Sequence, residues 1–271
     1  MKDLAIELAV GAGKRLMGRF HSRIVAHTKC DRSNVVTAAD LESERFIVEA
    51  IQERFPDHSI IAEESGVALR SPETTWVIDP LDGTSNFAAG IPWFGVLIAV
   101  LERGAPSLGI LYLPVGDVLY VAERGNGAYR NGQRIHVADA VALEDVLWAY
   151  GADASRDEAR QRTQLSTLRA LVASVRNVRT TNSLLDAAFT ADGRLGGMLN
   201  FSTRIWDIAA PSLIVREAGG VYTELDGAPL RLDLSMGAAR REYAVLAGAP
   251  SLHAEVLELI RNAGLPDSWS G

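Results

Sequence analysis

The stretch Trp76-Val77-Ile78-Asp79-Pro80-Leu81-Asp82-Gly83-Thr84-Ser85 decides how this chain is read. An apolar strand runs into two carboxylates three residues apart, punctuated by proline and glycine and followed by hydroxyls. Residues three apart on a regular strand face opposite sides. The two acids therefore meet only if Pro80 and Gly83 turn the chain, and that turn also frees the Leu81 carbonyl from sheet pairing. Asp-Pro and Asp-Gly are equally ordinary turn formers. Working outward, Glu63-Glu64 closes the apolar run Ile60-Ile61-Ala62, and only one of that pair can face a common site. Far downstream, Asp207 opens the helical segment Trp206-Asp207-Ile208-Ala209-Ala210, a position where the helix dipole also favours an acid.

Oxygen ligands with no histidine or cysteine among them suit a hard divalent cation such as Mg2+. Four converging carboxylates repel one another and a phosphate ester alike, and the cluster is tolerable only with divalent ions to neutralise it. Metal-assisted phosphate chemistry is the expectation: one ion lowers the pKa of a water while another stabilises the leaving oxygen. Thr84 stands where its hydroxyl can orient that water, and the Gly83–Ser85 amides can cradle phosphate oxygens.

Composition narrows the classes. At 271 residues the chain is long for one simple domain and short for two independent ones, so two fused subdomains sharing an interface are expected. A formal net charge of -7 argues against a nucleic-acid partner. The cations are nearly all arginine and lie scattered, forming no basic block. Cys30 is the only cysteine, which fits a reducing, cytoplasmic setting. Residues 1–20 carry Leu4, Leu8, Ala12, Leu16 and Phe20 at a four-residue spacing, interrupted by Asp3, Glu7, Lys14 and Arg15. That is one stripe of an amphipathic helix, so neither a targeting segment nor a membrane partner is expected.

After that helix, residues 27–36 read as a polar loop. Thr37 is an N-cap with Asp40 at the third position, opening a helix whose apolar face is Phe46, Ile47, Ala50 and Ile51 and which Pro56 ends. Residues 59–62 form a strand, 66–74 a surface loop, and strands follow around 76–78, 94–101, 107–112 and 118–122, with a hairpin over 123–137. Residues 1–140 thus read as an N-terminal α+β subdomain, two helices on an antiparallel sheet, with most of the metal ligands. Residues 141–271 read as a C-terminal α/β subdomain bearing Asp207. Its strands are expected near 146–150, 175–178, 197–201 and 243–248, and its helices over 156–173, 183–191, 206–218 and 251–263.

The pattern Glu63-Glu64-Ser65, the stretch from Trp76 through Ser85 to Asn86-Phe87, and Trp206-Asp207-Ile208-Ala209-Ala210 with Glu217-Ala218-Gly219-Gly220 resembles the inositol monophosphatase family, within the lithium-sensitive phosphatase superfamily. The likeness runs from Val36 to Gly248. It implies a layered α/β/α/β/α sandwich, a homodimer, and hydrolysis of a small phosphate monoester with two or three Mg2+ ions. By the resemblance, Glu63, Asp79, the Leu81 carbonyl, Asp82 and Asp207 are the metal ligands. Glu63 and Thr84, backed by Asp40, activate water, though Asp40 also fits a capping role with Thr37. Asp82, Gly83, Thr84, Ser85, Asn182, Ser183, Asn200 and Asp207 would touch substrate, and Lys29 lies in the loop that closes over the site in relatives.

Two departures bear on the substrate. Thr181-Asn182-Ser183 stands where relatives carry Gly-Ser/Thr-Ala, and Asn200 where relatives that hydrolyse inositol phosphates carry glutamate. The reaction is kept and the inositol assignment discounted, with fructose 1,6-bisphosphate, histidinol phosphate and a phosphoadenosine nucleotide as alternatives. Arg194 and Arg204 are candidates for a second phosphate. The rival of another class is a non-catalytic regulatory protein that retains the fold.

Overall fold

The computed structural model describes residues 1–20, 26–28, 35–140, 142–152, 155 and 157–264, so Lys29 and Cys30 lie outside the described residues. Helix α1 (Lys2–Phe20) buries Leu8, Ala12, Leu16 and Phe20 of the expected stripe together with Ala5 and Ala9, while Leu4 at its start is half-buried. Within the segment read as a loop, β1 (Ala26–Thr28) and β2 (Val35–Thr37) instead pair as a short antiparallel ribbon. The capping box forms as expected at α2 (Ala38–Arg54): Thr37 Oγ1 accepts Ala39 N at 3.1 Å, and Asp40 Oδ2 accepts Thr37 N at 2.9 Å.

The first sheet contains β3 (His58–Ala62), β4 (Gly66–Ala68), β5 (Ser71–Asp82), β6 (Gly95–Glu102), β7 (Ala105–Leu113), β8 (Val118–Glu123), β9 (Gly127–Arg130) and β10 (Gln133–Arg134), in the order β10-β9-β8-β7-β6-β5-β3-β4. The surface loop expected over 66–74 is in part β4 and the start of β5. The sheet is also not wholly antiparallel, because β3 runs parallel to β5 with Ala62 opposite Ile78. This exception brings the C-terminal ends of both strands to the same edge.

After the short α3 (Thr84–Ala88), a second sheet is built from β11 (Leu147–Gly151), β12 (Asn177–Arg179), β13 (Gly197–Thr203), β14 (Val221–Glu224) and β15 (Tyr243–Gly248), ordered β12-β11-β13-β15-β14. Strand β14 was absent from the sequence reading. The remaining helices are α4 (Glu158–Ser174), α5 (Leu185–Ala191), α6 (Ile205–Glu217) and α7 (Pro250–Asn262).

Three apolar clusters stack these elements into five layers. Trp76, Ile78, Val96 and Ile98 face α1 and α2. Their alternate neighbours Val77, Leu97 and Ala99 face α5 and α6, which pack in turn on Ala149, Val245 and Ala247 of the second sheet. The far side of that sheet, with Trp148, Tyr150 and Leu246, is covered by Leu171 of α4 and Leu252, Val256 and Ile260 of α7. The order is α/β/α/β/α, as the resemblance implied. Strands covered on both faces are apolar at successive positions, and each fully buried large side chain contributes about 1.5–3 kcal/mol. Helix α6 lies so close to β7 that a Cβ on Gly109 would stand 2.9 Å from the Ala210 carbonyl oxygen. Among the described residues no helix is long and apolar enough to cross a membrane.

Candidate active site

The two aspartates of the deciding stretch converge without leaving the sheet. Asp79 pairs with Leu97 and Asp82 with Gly95, so three steps along β5 match two along β6. The extra residue is a β-bulge, which resets the alternation and brings both carboxylates to one side. The sequence predicts a turn that breaks the strand. β5 instead continues through Asp82, and the chain turns only at Gly83, where φ is +85° and a Cβ would lie 2.5 Å from the Trp93 carbonyl oxygen.

Parallel pairing of β3 then sets Glu63 beside Asp79, with Glu63 N donating to the Ile78 carbonyl at 3.3 Å. Asp207 arrives from the first turn of α6, where its Oδ2 also accepts Arg204 N at 2.6 Å. The capping and site-facing readings of this residue are thus compatible. One carboxylate oxygen from each of Asp79, Asp82 and Asp207 lies within 4.8 Å of the others. Two oxygens on one Mg2+ at 2.0–2.1 Å stand no more than about 4.2 Å apart. Three oxygens within 4.8 Å of one another are near enough for side-chain rotation to bring them onto one ion or to divide them between two neighbouring ions.

The electrostatics fit a cation. Burial, followed by the charges of Glu63, Asp82 and Asp207, holds the Asp79 carboxyl well above the usual range, opposed by a 2.9 Å bond from Leu81 N. Burial pushes Asp82 up to about 7 despite a bond of 2.6 Å from Leu184 N, and the Glu63 and Asp186 charges add to the rise. The charges bearing on Asp79 and Asp82 are all negative, and a hard divalent ion is what these oxygens would hold.

Thr84 Oγ1 lies 3.0 Å from Asp40 Oδ1 and 2.9 Å from the Leu81 carbonyl oxygen. Asp40 is fully buried and does not reach the cavity. One of its oxygens caps α2 through Thr37 and the other takes the Thr84 hydroxyl, so the two roles weighed from sequence coexist.

The remaining candidates, Gly83, Ser85, Asn182, Ser183 and Asn200, line the same cavity of about 690 Å³ with Glu63, Asp79, Leu81, Asp82, Thr84 and Asp207. Just before α5 the left-handed residue is Asn182, with φ +48°, and not Thr181, which stands where relatives carry glycine. Asparagine tolerates that conformation better than most residues. Arg194 is a correction: it is ion-paired to Asp192, bonds Tyr120 and does not line this cavity.

Sequence reasoning missed several contributors. Glu44, 4 % exposed, accepts Glu64 N at 2.7 Å and Ser65 N at 2.6 Å, pinning the turn that presents Glu63. Ser43 Oγ donates to the Pro80 carbonyl at 3.2 Å. Spacing from Asp40 was the available signal, since residues three and four apart share a helix face. Asp186 takes the Thr181 hydroxyl at 2.8 Å, and burial pushes it up to about 7. Arg160, Arg240 and Glu242 line the outer wall.

A five-layer α/β fold with an acidic pocket at parallel strand ends defines a class, and the sequence matches that class over residues 1–265: the chain belongs to the inositol monophosphatase family. It is 34% identical over 250 residues to inositol-1-monophosphatase of Bacillus subtilis, covering 91% of each chain. It is likewise 34% identical over 229 residues to a Haemophilus influenzae protein named Nus factor SuhB, covering 83% of this chain and 85% of that one. Among solved structures, the extragenic suppressor protein suhB of Bartonella henselae superposes with a TM-score of 0.88 at 30% identity, over 97% of this chain and 99% of the other.

Proposed function

We propose that the protein hydrolyses small phosphate monoesters of the polyol or sugar type, using two or three Mg2+ ions held by Glu63, Asp79, the Leu81 carbonyl, Asp82 and Asp207. The observation that carries this reading is the meeting of three carboxylate oxygens within 4.8 Å beside the Thr84–Asp40 hydrogen bond. Bound there, the ions would supply positive charge against the ester and leaving oxygens and make a neighbouring water more acidic.

The chain's own groups position the rest. The ester phosphate sits over Asp82, against Gly83, Thr84 and Ser85, while Asn182, Ser183 and Asn200 face the alcohol. A hydroxyl has one proton. With that proton given to Asp40 Oδ1, Thr84 Oγ1 keeps lone pairs to accept from the attacking water. Glu63 takes the water's other proton as its oxygen attacks phosphorus, the ester P–O bond breaks, and the alcohol leaves with a proton from solvent. Asp40 acts through Thr84 and is a positioning residue. A homodimer and a cytoplasmic setting belong to the same reading through family membership, and light scattering on the purified chain tests the first.

The test is phosphate release from inositol 1-phosphate, fructose 1,6-bisphosphate, histidinol phosphate, a phosphoadenosine nucleotide and p-nitrophenyl phosphate, with Mg2+ and with EDTA. Release that depends on Mg2+ is expected. Metal binding without release from any ester would overturn the reading in favour of a binding protein that has kept the fold.

A further inference from the structure

The floor of the cavity is acidic; its outer wall is cationic. Arg160 from α4, Arg204 from the β13–α6 junction and Arg240 from the 3-10 turn Ala238–Arg240 line it together with Glu242. Glu242 Oε2 accepts Arg160 Nη1 at 3.1 Å, and its Oε1 accepts Arg204 Nη2 at 3.3 Å. Arg204 Nη1 donates to the Arg240 carbonyl at 2.6 Å. These bonds order the wall, and three arginines against one glutamate leave it a formal charge of +2. Scattered in sequence and forming no basic block, the arginines include Arg204, a candidate for a second phosphate; the fold gathers it with Arg160 and Arg240 at one site.

Asn200 contributes in the same sense. Its Oδ1 accepts Ser202 N at 3.0 Å. A backbone N–H needs an acceptor, so this bond fixes which end of the amide is oxygen. Nδ2 is thereby directed over Gly151, where a Cβ would come within 2.7 Å of it, and it donates to no acceptor among the described residues. The half-buried Asn200, which lines the cavity, therefore has N–H protons to donate, while one lone pair of its Oδ1 is taken by Ser202.

A wall of guanidinium and amide N–H groups supplies donors and positive charge. Ring hydroxyls of a polyol need acceptors as well as donors. A group made only of acceptors and bearing negative charge suits the guanidinium and amide N–H groups of this wall, and charge-assisted bonds to arginine are the strong ones. We propose that the wall is a subsite for a second anionic group, phosphate or carboxylate, carried on the alcohol half of the ester. This rests on the phosphatase reading above and sharpens it. An ester whose alcohol bears an ammonium group, histidinol phosphate among them, is disfavoured by the same charges.

The experiment compares kcat/KM for fructose 1,6-bisphosphate (second phosphate) and 3-phosphoglycerate (carboxylate) with that for inositol 1-phosphate and glycerol 2-phosphate, whose alcohols are neutral. Wild type is expected to favour at least one member of the first pair by about tenfold or more, and whichever member it favours names the anion. Arg240→Ala removes an exposed cation, and Asn200→Asp replaces the donor by an acceptor while keeping Oδ1 for Ser202. Both are expected to lower the ratio between the two ester classes, a readout that general loss of folded protein does not move. A wild-type preference for the neutral alcohols, or a ratio unchanged within about twofold in both variants, overturns the subsite while leaving the hydrolase standing. Failure to release phosphate from every ester, p-nitrophenyl phosphate included, would sink the phosphatase reading and the subsite with it.

Discussion

Replacing Glu44 by glutamine tests how the turn bearing Glu63 is held. The wild-type carboxylate is 4 % exposed and accepts two backbone N–H groups at 2.7 and 2.6 Å, one on each oxygen. Glutamine keeps the volume but turns one acceptor into a donor, so one N–H faces another donor where water has little access. An unsatisfied buried N–H costs about 1–3 kcal/mol, and the surviving bond weakens once its acceptor is uncharged. For a chain of 271 residues, an unfolding entropy of about 2.1 cal/mol/K per residue converts each kcal/mol into about 2 °C. The expected fall in Tm is thus about 2–6 °C in a thermal melt. Glu63 follows immediately on β3, so the strained turn also misplaces its carboxylate, and a displacement near 1 Å costs about a hundredfold in rate. In a phosphate-release assay kcat should drop far more than KM rises. A melt within about 1 °C of wild type together with kcat/KM within twofold would refute the claim that Glu44 positions the catalytic turn.

Asp82→Asn keeps the bond from Leu184 N and removes one negative charge from the cluster, so activity should fall at least a hundredfold while the EDTA-treated protein melts no lower than wild type. Activity within about tenfold, only about 1.4 kcal/mol of barrier, would remove Asp82 from the ligand set. Asp40→Asn must set an amide NH2 against either Thr37 or Thr84; a Tm loss of about 2 °C from the weakened cap and a rate loss beyond tenfold are expected, and unchanged kcat/KM would show that Thr84 needs no acceptor there. Asp82 and Asp186 titrate near 7 in the folded chain against about 4 unfolded, so the native state holds those protons more tightly and loses stability as pH rises from about 4 through 7. The half-buried His58 and the buried His253 have pKa values lowered by desolvation and destabilise only below about pH 6.5, which leaves pH 6.5–8 as the clean window. In EDTA the Tm should decline across that window and Mg2+ should raise it most at pH 8; a flat or rising Tm in EDTA would contradict the titration.

What the sequence disclosed was local. The Thr37–Asp40 box spans four residues and forms as read, and the apolar runs before Glu63 and Asp79 are strands, the second carrying on through Asp82. The parallel pairing of β3 with β5 was hidden, because strand direction is set by which distant segment lies alongside and not by alternation within either strand. Glu44 was one acid among many on a helix until its partners at 64 and 65 came into view. The arginines at 160, 204 and 240 shared no motif, since they reach one wall from three separate elements. The four residues of β14 were too few for periodicity to register.

The bulge in β5 gives this region an unusual sensitivity to register. Were the ladder to β6 to run in step from Asp79 with every residue kept, Asp82 would fall opposite Phe94 and turn to the other face of the sheet. Position 81 presents its carbonyl to Thr84, a group every amino acid possesses. Drift in side-chain identity there is tolerable as long as the apolar volume is kept, whereas a slip that irons out the bulge parts the two carboxylates at once.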